Sequence, residues 1–330
     1  MKQRQLGQDG PMVGAIGLGC MSIAGFYGAC DVKTAHATLA KAHEIGMTHL
    51  DTAKIYGDGI SENIIGDFLK DNPDKKFTIA TKGGINTTPP RSFDNSEKYL
   101  TECLEGSLKR LGVDYVDLYY IHRRDQNIPI EDVMETLVKF IDQGKIGSIG
   151  LSEISPATLE RASAVHPVAA VQNEYSLWTR QPELGLIQAC NRLGTTFVPF
   201  SPVGRGILTD HAANLDVSAY ADNHFMKTNP RFMEPNFSAN QKKIDHFRAY
   251  AADKNISTAG LAIAWTLAQD DHSIPIPGTR TVEHLLECAQ GAEITLSTDE
   301  LAEIEEILPV GFAHGSRYSD QQKAGPEDYC

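Results

Sequence analysis

The chain lacks paired cysteines, carries little positive charge and contains no long uncharged hydrophobic run. Its six cysteines, Cys20, Cys30, Cys103, Cys190, Cys288 and Cys330, are scattered with no CxxC among them. A chain of 330 residues has core enough without covalent staples, so these read as reduced thiols of a cytoplasmic protein. Lys and Arg number 30 against 43 Asp and Glu, a net charge of −13. Such a surface repels phosphate backbones and anionic lipid, which argues against nucleic-acid and membrane partners. Any anionic cofactor would need a local basic pocket. The apolar stretch Met12–Tyr27 behind Lys2 and Arg4 is the nearest thing to a leader, but Asp9, Gly14, Gly17, Gly19 and Gly25 spoil it as a helix. It reads better as a β-hairpin running into a first buried strand, and no other stretch could span a bilayer. Hydrophobic residues at 41% and charged residues at 22% are ordinary globular usage, which excludes disordered and fibrous classes.

Several familiar motifs are missing as well. A Gly-rich dinucleotide fingerprint would need a third glycine where Ser22 stands after Gly17 and Gly19. His43–Glu44 is followed by Met47 instead of a second histidine, so it is no zinc-protease helix. Ser152 has Gly150 before it but Ile154 after it, so it is no nucleophile elbow. No P-loop appears and no metal site is expected.

What is present is an alternation of short apolar runs and amphipathic segments. At about 150 residues per domain the length suits two domains or one large barrel. The strand-like runs are Ala15–Cys20, Thr48–Asp51, Phe77–Thr81, Val116–Ile121, Ser148–Leu151, Ala169–Gln172, Thr196–Phe200 and Ser273–Pro277. Their unalternated apolar character is that of parallel strands buried on both faces. Helices are expected between them. One carries Leu100, Cys103, Leu104, Ser107, Leu108 and Leu111 on one face behind a cap at Ser96. Others cover Thr34–Ile45, Ser61–Lys70, Ile130–Gln143, Pro156–Ser163, Glu183–Arg192, Gln241–Lys254, Ala259–Ala268, Val282–Ala289 and Asp299–Leu308. The last of these opens with Ser297 and Glu300 at capping-box spacing. Eight βα units without a linker predict one α/β domain over 1–330, a (β/α)8 TIM barrel with an N-terminal hairpin. A long loop over 205–240 follows the seventh strand, and a polar tail covers 311–330. Both would shape a pocket at the C-terminal face.

In such a barrel, side chains just past the strand ends share one mouth. Asp51 ends the second strand, Tyr56 lies in the loop after it, Lys82 follows the third and His122 the fourth. Singly, an Asp or Lys at a strand end is more often a cap or ion pair, and a lone His a satisfied core residue. Their joint position at three adjacent strand ends favours catalysis.

These residues sit in a set of motifs: Gly17–Met21, Leu50–Ala53 with Tyr56–Gly57, Thr81–Lys82, Tyr119–Asp125, Gly144–Gly147, Ile149–Ser152, Gln172–Leu177, Ser201–Gly206 and Ile276–Arg280. With them the chain resembles the aldo-keto reductases over nearly its whole length. His122–Asp125 and Asn229–Phe232 resemble most the branch of pyridoxal reductases. The resemblance implies a catalytic tetrad of Asp51, Tyr56, Lys82 and His122. Tyrosine, with a reference pKa of about 10, would donate a proton helped by the Lys82 ammonium, which Asp51 holds, while His122 orients the carbonyl.

The resemblance also implies NADPH as cofactor. Ser152 and Gln172 would hold the nicotinamide carboxamide, and Phe200 would stack where the family usually has tyrosine. Ser201, Val203, Arg205 and Gly206 would form the pyrophosphate loop. Gly278, Thr279 and Arg280 would meet the 2′-phosphate at a helix start, with His284 and Glu287 near adenine or its phosphate. Two residues depart from the pattern: Glu153 replaces a common asparagine, and so does Cys288. The expected activity is reduction of a small-molecule aldehyde or ketone. The alternatives are a Schiff-base lyase or aldolase using Lys82 and a non-catalytic, nucleotide-binding regulatory subunit. Arg123, Arg124 and Arg231 hint at an anionic substrate, unless they pair with Asp125 and nearby acids. The substrate and the oligomeric state are left open.

Overall fold

A computed structural model describes residues 1–220, 224–320 and 322–329. Parts of the 205–240 loop (221–223) and of the tail (321 and Cys330) lie outside the described residues.

Seven parallel strands pair in chain order: β1 Leu18–Gly19, β2 His49–Asp51, β3 Thr78–Gly83, β4 Val116–Ile121, β5 Ile146–Ser152, β6 Ala170–Gln172 and β7 Thr196–Phe197. The expected eighth run, Ser273–Pro277, forms no continuous strand. Pro275 and Pro277 lack the N–H that would face β1, so their carbonyls only accept there, from Gly17 at 2.9 Å and Gly19 at 3.0 Å. Ile274 and Ile276 donate the other way, to Phe197 at 2.9 Å and Pro199 at 3.0 Å. Single parallel bridges, Phe200 to Ile276 and Gly19 to Gly278, therefore close the curled sheet into a (β/α)8 barrel.

The N-terminal hairpin, Gln3–Gln5 paired with Met12–Gly14, lies at the floor. Its Leu6 and Val13 join the barrel-interior cluster with Ala80, Leu118, Tyr120, Ala170, Val198, Ile274 and Ile276. Gly7 N–H donates to Thr196 Oγ1, 2.7 Å away at the start of β7. The floor is thus plugged by side chains, and the C-terminal strand ends are left as the mouth.

Helices cover the outside. In Glu97–Leu111 the Ser96 hydroxyl accepts from Tyr99 N–H, and the six expected inward residues are all buried. The Ser297–Glu300 capping box is present. Gly185, at φ +110°, starts one helix at Leu186 instead of Glu183, and Gln181–Glu183 is a separate 3-10 turn. A second helix begins at Asn236, five residues ahead of expectation. The preceding loop is laced with short turns at His211–Asn214, Val217–Ala219, Phe225–Thr228 and Pro230–Phe232. The polar tail is docked across the mouth. Glu327 accepts from Ser155 N–H at 2.9 Å and donates its own N–H to the Glu153 carbonyl at 2.9 Å, and Asn173 donates to Tyr329 at 2.9 Å.

No described helix is long and apolar enough to cross a membrane. Among the described residues, no group of three His, Cys, Asp or Glu could hold a metal ion. Cys20, Cys30, Cys103, Cys190 and Cys288 are free thiols.

Candidate active site

The structure brings Asp51, Tyr56, Lys82 and His122 together. Asp51 and Lys82 lie on β2 and β3, which pair in parallel, so both reach the mouth side by side. Thr52 N–H bonds the Ala80 carbonyl and Lys54 N–H that of Lys82, which carries the chain over the third strand before it turns. A turn from Ala53 to Tyr56 and a left-handed Gly57 then bring the phenol back over Lys82. The Lys82 ammonium uses all three donors, on Asp51 Oδ1, on the Thr52 carbonyl at 2.8 Å and on the Tyr56 hydroxyl at 3.3 Å. The other carboxylate oxygen of Asp51 accepts from Gln172 Nε2 at 2.8 Å. The His122 ring stands edge-on to Tyr56, with 5.9 Å between centroids.

Lys82 is fully buried and Asp51 is 1% exposed. Burial alone would discharge the lysine, but Asp51 and Tyr56 more than offset it and hold the ammonium above its ordinary pKa. Tyr56 moves opposite to the simplest expectation. Burial pushes the phenol up, Lys82 pulls it down, and burial wins, so the hydroxyl is held protonated. His122 is driven well below its usual range by burial, with Arg123, Lys82 and Arg91 adding like-charge repulsion. It is a neutral imidazole at physiological pH, and its buried Nδ1 has no partner among the described residues. The arrangement is a protonated phenol with a neutral hydrogen-bonding ring beside it, the pair a carbonyl oxygen requires.

The residues expected around a dinucleotide line the same mouth. Ser152 and Gln172 are opposite one another at the ends of β5 and β6. In this structure, however, Gln172 is tied to Asp51, and Ser152 Oγ accepts from Arg123 at 3.1 Å. Phe200 is half-buried against the interior cluster. The loop after it curls through left-handed Ser201, Gly204, Arg205 and Gly206, and a side chain at Gly206 would meet nothing within 4 Å. Val203 is buried, and Arg205 is committed to Glu174 at 2.7 Å and does not stand free. Beyond, Gly278 is exposed and Thr279 buried. Half-buried Arg280 bonds the Tyr27 carbonyl and has no acidic partner among the described residues. It immediately precedes the helix Val282–Gln290, whose N-cap is Thr281. An unpaired guanidinium at a helix start suits a phosphate, so Arg280 and this helix end fit a phosphorylated dinucleotide. His284 is exposed on that helix and Glu287 is half-buried one turn on, its carboxyl raised by burial. Cys288 faces inward, and burial pushes its thiol up to about 12.

Sequence reasoning missed a buried charge network. Glu153, at φ +55°, pairs with Arg317 from the tail at 2.7 Å. Arg317 also reaches Glu174 at 3.3 Å, and the guanidinium groups of Arg205 and Arg317 both lie over the Tyr318 ring. Glu174 stood inside a quoted motif, whereas nothing local marks Arg317 or Tyr318. The hinted arginines now separate. Arg124 pairs with Glu327 at 3.4 Å, and Arg231 bonds the Trp178 carbonyl at 2.7 Å and Thr179 Oγ1 at 2.9 Å. Trp178 and Trp265 are both buried.

Residues 15–309 match the model of the Aldo/keto reductase family. A probable aldo-keto reductase 1 of Glycine max is 38% identical over 95% of this chain and 91% of its own. An aldo-keto reductase of Schizosaccharomyces pombe named with NADP(+) is also 38% identical, over 96% and 94%. Among solved structures, a glycerol dehydrogenase from Gluconobacter oxydans superposes with a TM-score of 0.84 at 25% identity, covering 93% of this chain and 94% of its own. A holo-form aldo-keto reductase from Bacillus halodurans gives 0.76 at 25%, covering 94% and 97%. The chain belongs to the aldo/keto reductase family.

Proposed function

We propose that the protein reduces an aldehyde or ketone to the alcohol with NADPH, Tyr56 delivering the proton. The observation that carries this reading is the Tyr56 hydroxyl 3.3 Å from the buried Lys82 ammonium, with His122 beside it. Bound NADPH supplies the hydride that reaches the carbonyl carbon. As negative charge grows on the oxygen, the phenol gives up its proton, and Lys82 stabilises the phenolate that remains. Neutral His122 orients the carbonyl oxygen toward the phenol, and Asp51 keeps Lys82 charged and in place. Ser152, Gln172 and Phe200 would hold the nicotinamide end. Ser201, Val203, Arg205 and Gly206 would hold the middle, and Gly278, Thr279, Arg280, His284 and Glu287 the adenosine end. Gln172 and Arg205 must exchange their present partners to do so.

The name of the fission-yeast relative supports NADP(H), as does the unpaired Arg280. The likeness of His122–Asp125 and Asn229–Phe232 to the pyridoxal-reductase branch supports a small carbonyl substrate. A Schiff base on Lys82 is disfavoured because its nitrogen is held protonated and shared among three acceptors. Oxidation of NADPH in the presence of a simple aromatic aldehyde, followed by absorbance, tests the reading. Covalent trapping by borohydride without NADPH oxidation would replace it with the lyase, and nucleotide binding without any turnover with the regulatory subunit.

A further inference from the structure

Arg123 differs from most arginines of the mouth, and unlike the unpaired Arg280 it is bonded beside His122. Arg124, Arg205 and Arg317 each face a carboxylate, and Arg231 is used up on two carbonyls, a hydroxyl and the Trp178 ring. Arg123 has no acid within ion-pairing range among the described residues. Among the described residues its bonds run from Nη1 alone, to the His122 carbonyl at 2.5 Å and to Ser152 Oγ at 3.1 Å. Asp125, the obvious candidate to neutralise it, turns one carboxylate oxygen to Asn127 instead. The remaining donors of the guanidinium fork are unclaimed, and the two bonds fix the group beside the catalytic histidine. A second unpaired guanidinium, Arg91, is exposed just ahead of the small hairpin strand Ser92–Phe93. Phe93 of that strand and Arg123 both lie against Gly325, each 3.1 Å from where a Cβ there would stand, so the strand that Arg91 precedes packs beside Arg123. In a chain of net charge −13, two unneutralised guanidinium groups at one site are not the general surface. They sit next to where a carbonyl substrate meets His122.

We propose that the substrate bears an anionic oxygen group, a carboxylate or a phosphate, which Arg123 receives in a planar fork with Arg91 flanking it. This rests on the reductase reading above. A guanidinium suits such oxygens bidentately, and one charge-assisted contact of this kind corresponds to about ten- to hundredfold in affinity.

The test compares 4-carboxybenzaldehyde, 4-formylphenyl phosphate and the uncharged methyl 4-formylbenzoate as substrates with NADPH. The wild-type protein should favour an anionic aldehyde over the ester by about tenfold or more in kcat/KM, chiefly through KM. The preference should shrink as salt rises. Arg123→Gln should collapse the ratio of anionic to neutral substrate, Arg123→Lys should retain part of it, and Arg91→Gln should reduce it less. Which anion is favoured decides between carboxylate and phosphate. A wild-type ratio near one, or a ratio that survives in Arg123→Gln, overturns the proposal while leaving the reductase reading intact. Failure to reduce any of the three overturns the reductase reading instead. Calorimetric binding of 4-(hydroxymethyl)benzoate against its methyl ester, which needs no turnover, then still decides whether the anion site exists. The dissociation constant of NADPH, measured on the same variants, separates this role from a cofactor role. A loss there equal to the loss in the substrate ratio assigns Arg123 to the nucleotide and overturns the proposal.

Discussion

Replacing Lys82 by methionine keeps the length of the side chain and removes the buried cation. Asp51, 1% exposed, then loses its one charged partner among the described residues and keeps Gln172. Breaking one side of a buried pair typically costs about 3–5 kcal/mol, because the surviving charge has left water for nothing. With an unfolding entropy of about 2.1 cal/mol/K per residue, a chain of this size shifts its midpoint by roughly 1.4 °C per kcal/mol. Lys82→Met should therefore melt about 4–7 °C lower than wild type. Asp51→Asn, the same size and shape, strands the ammonium instead and should cost a similar amount. The double variant has no buried charge left at this spot. Its loss should fall short of the sum of the singles by about 2 kcal/mol or more, since interacting groups are not additive. Thermal unfolding followed by circular dichroism on the four proteins closes the cycle, and turnover should be lost in all three variants. Additive losses, with the double variant paying for both, would show that Asp51 and Lys82 do not act as a unit and would refute the account of the site.

Tyr56→Phe removes the acidic proton and keeps the ring, so kcat should fall by about 10² or more while NADPH still quenches tryptophan fluorescence at near wild-type concentration. Arg280→Ala should weaken NADPH by about ten- to hundredfold and leave NADH nearly unchanged, most clearly at low salt; equal losses for both nucleotides would make Arg280 a structural residue. Glu174 is held at about 2 because Arg205 and Arg317 outweigh the upward push of burial. A depressed carboxylate stabilises the fold above its unfolded pKa and loses that contribution as pH falls through the folded value. Urea midpoints of the wild type should thus drop between about pH 4.5 and 2, and Glu174→Gln should flatten that limb; an unchanged slope refutes the assignment.

Where contacts are local or repeat with a period, the sequence was readable. Val116–Ile121 is a strand over its full expected range, and the stripe Leu100 to Leu111 points inward because its spacing leaves it no other face to bury. The hairpin, the Ser96 cap and the Ser297 capping box depend on residues within a few positions of one another. The eighth strand was legible as a run but not as a ladder, since two prolines remove its donors on one side. Helix starts at Leu186 and Asn236 were misjudged because a left-handed glycine and a succession of short turns, not periodicity, set them. That Asp51, Tyr56, Lys82 and His122 come together was legible because the barrel forces strand ends into one mouth.

The tail is a different kind of problem. Arg317 meets Glu153 and Glu174 across 164 and 143 positions of sequence, and no periodicity or motif connects them. Yet these contacts explain the most conspicuous departure from the family pattern. Position 153 adopts φ +55°, a left-handed conformation that asparagine tolerates better than glutamate. A glutamate there carries a backbone cost and, being 2% exposed, would carry an uncompensated charge as well. Arg317 supplies the opposite charge, and the Glu174 N–H donates to the same carboxylate at 2.9 Å. The substitution is therefore not a defect of the mouth but one half of a pair, and its other half is brought in by a segment that sequence reading treats as a loose tail. Because the same tail touches Arg124, Asn173 and Ser155, the mouth of this barrel is completed by residues that follow its last helix.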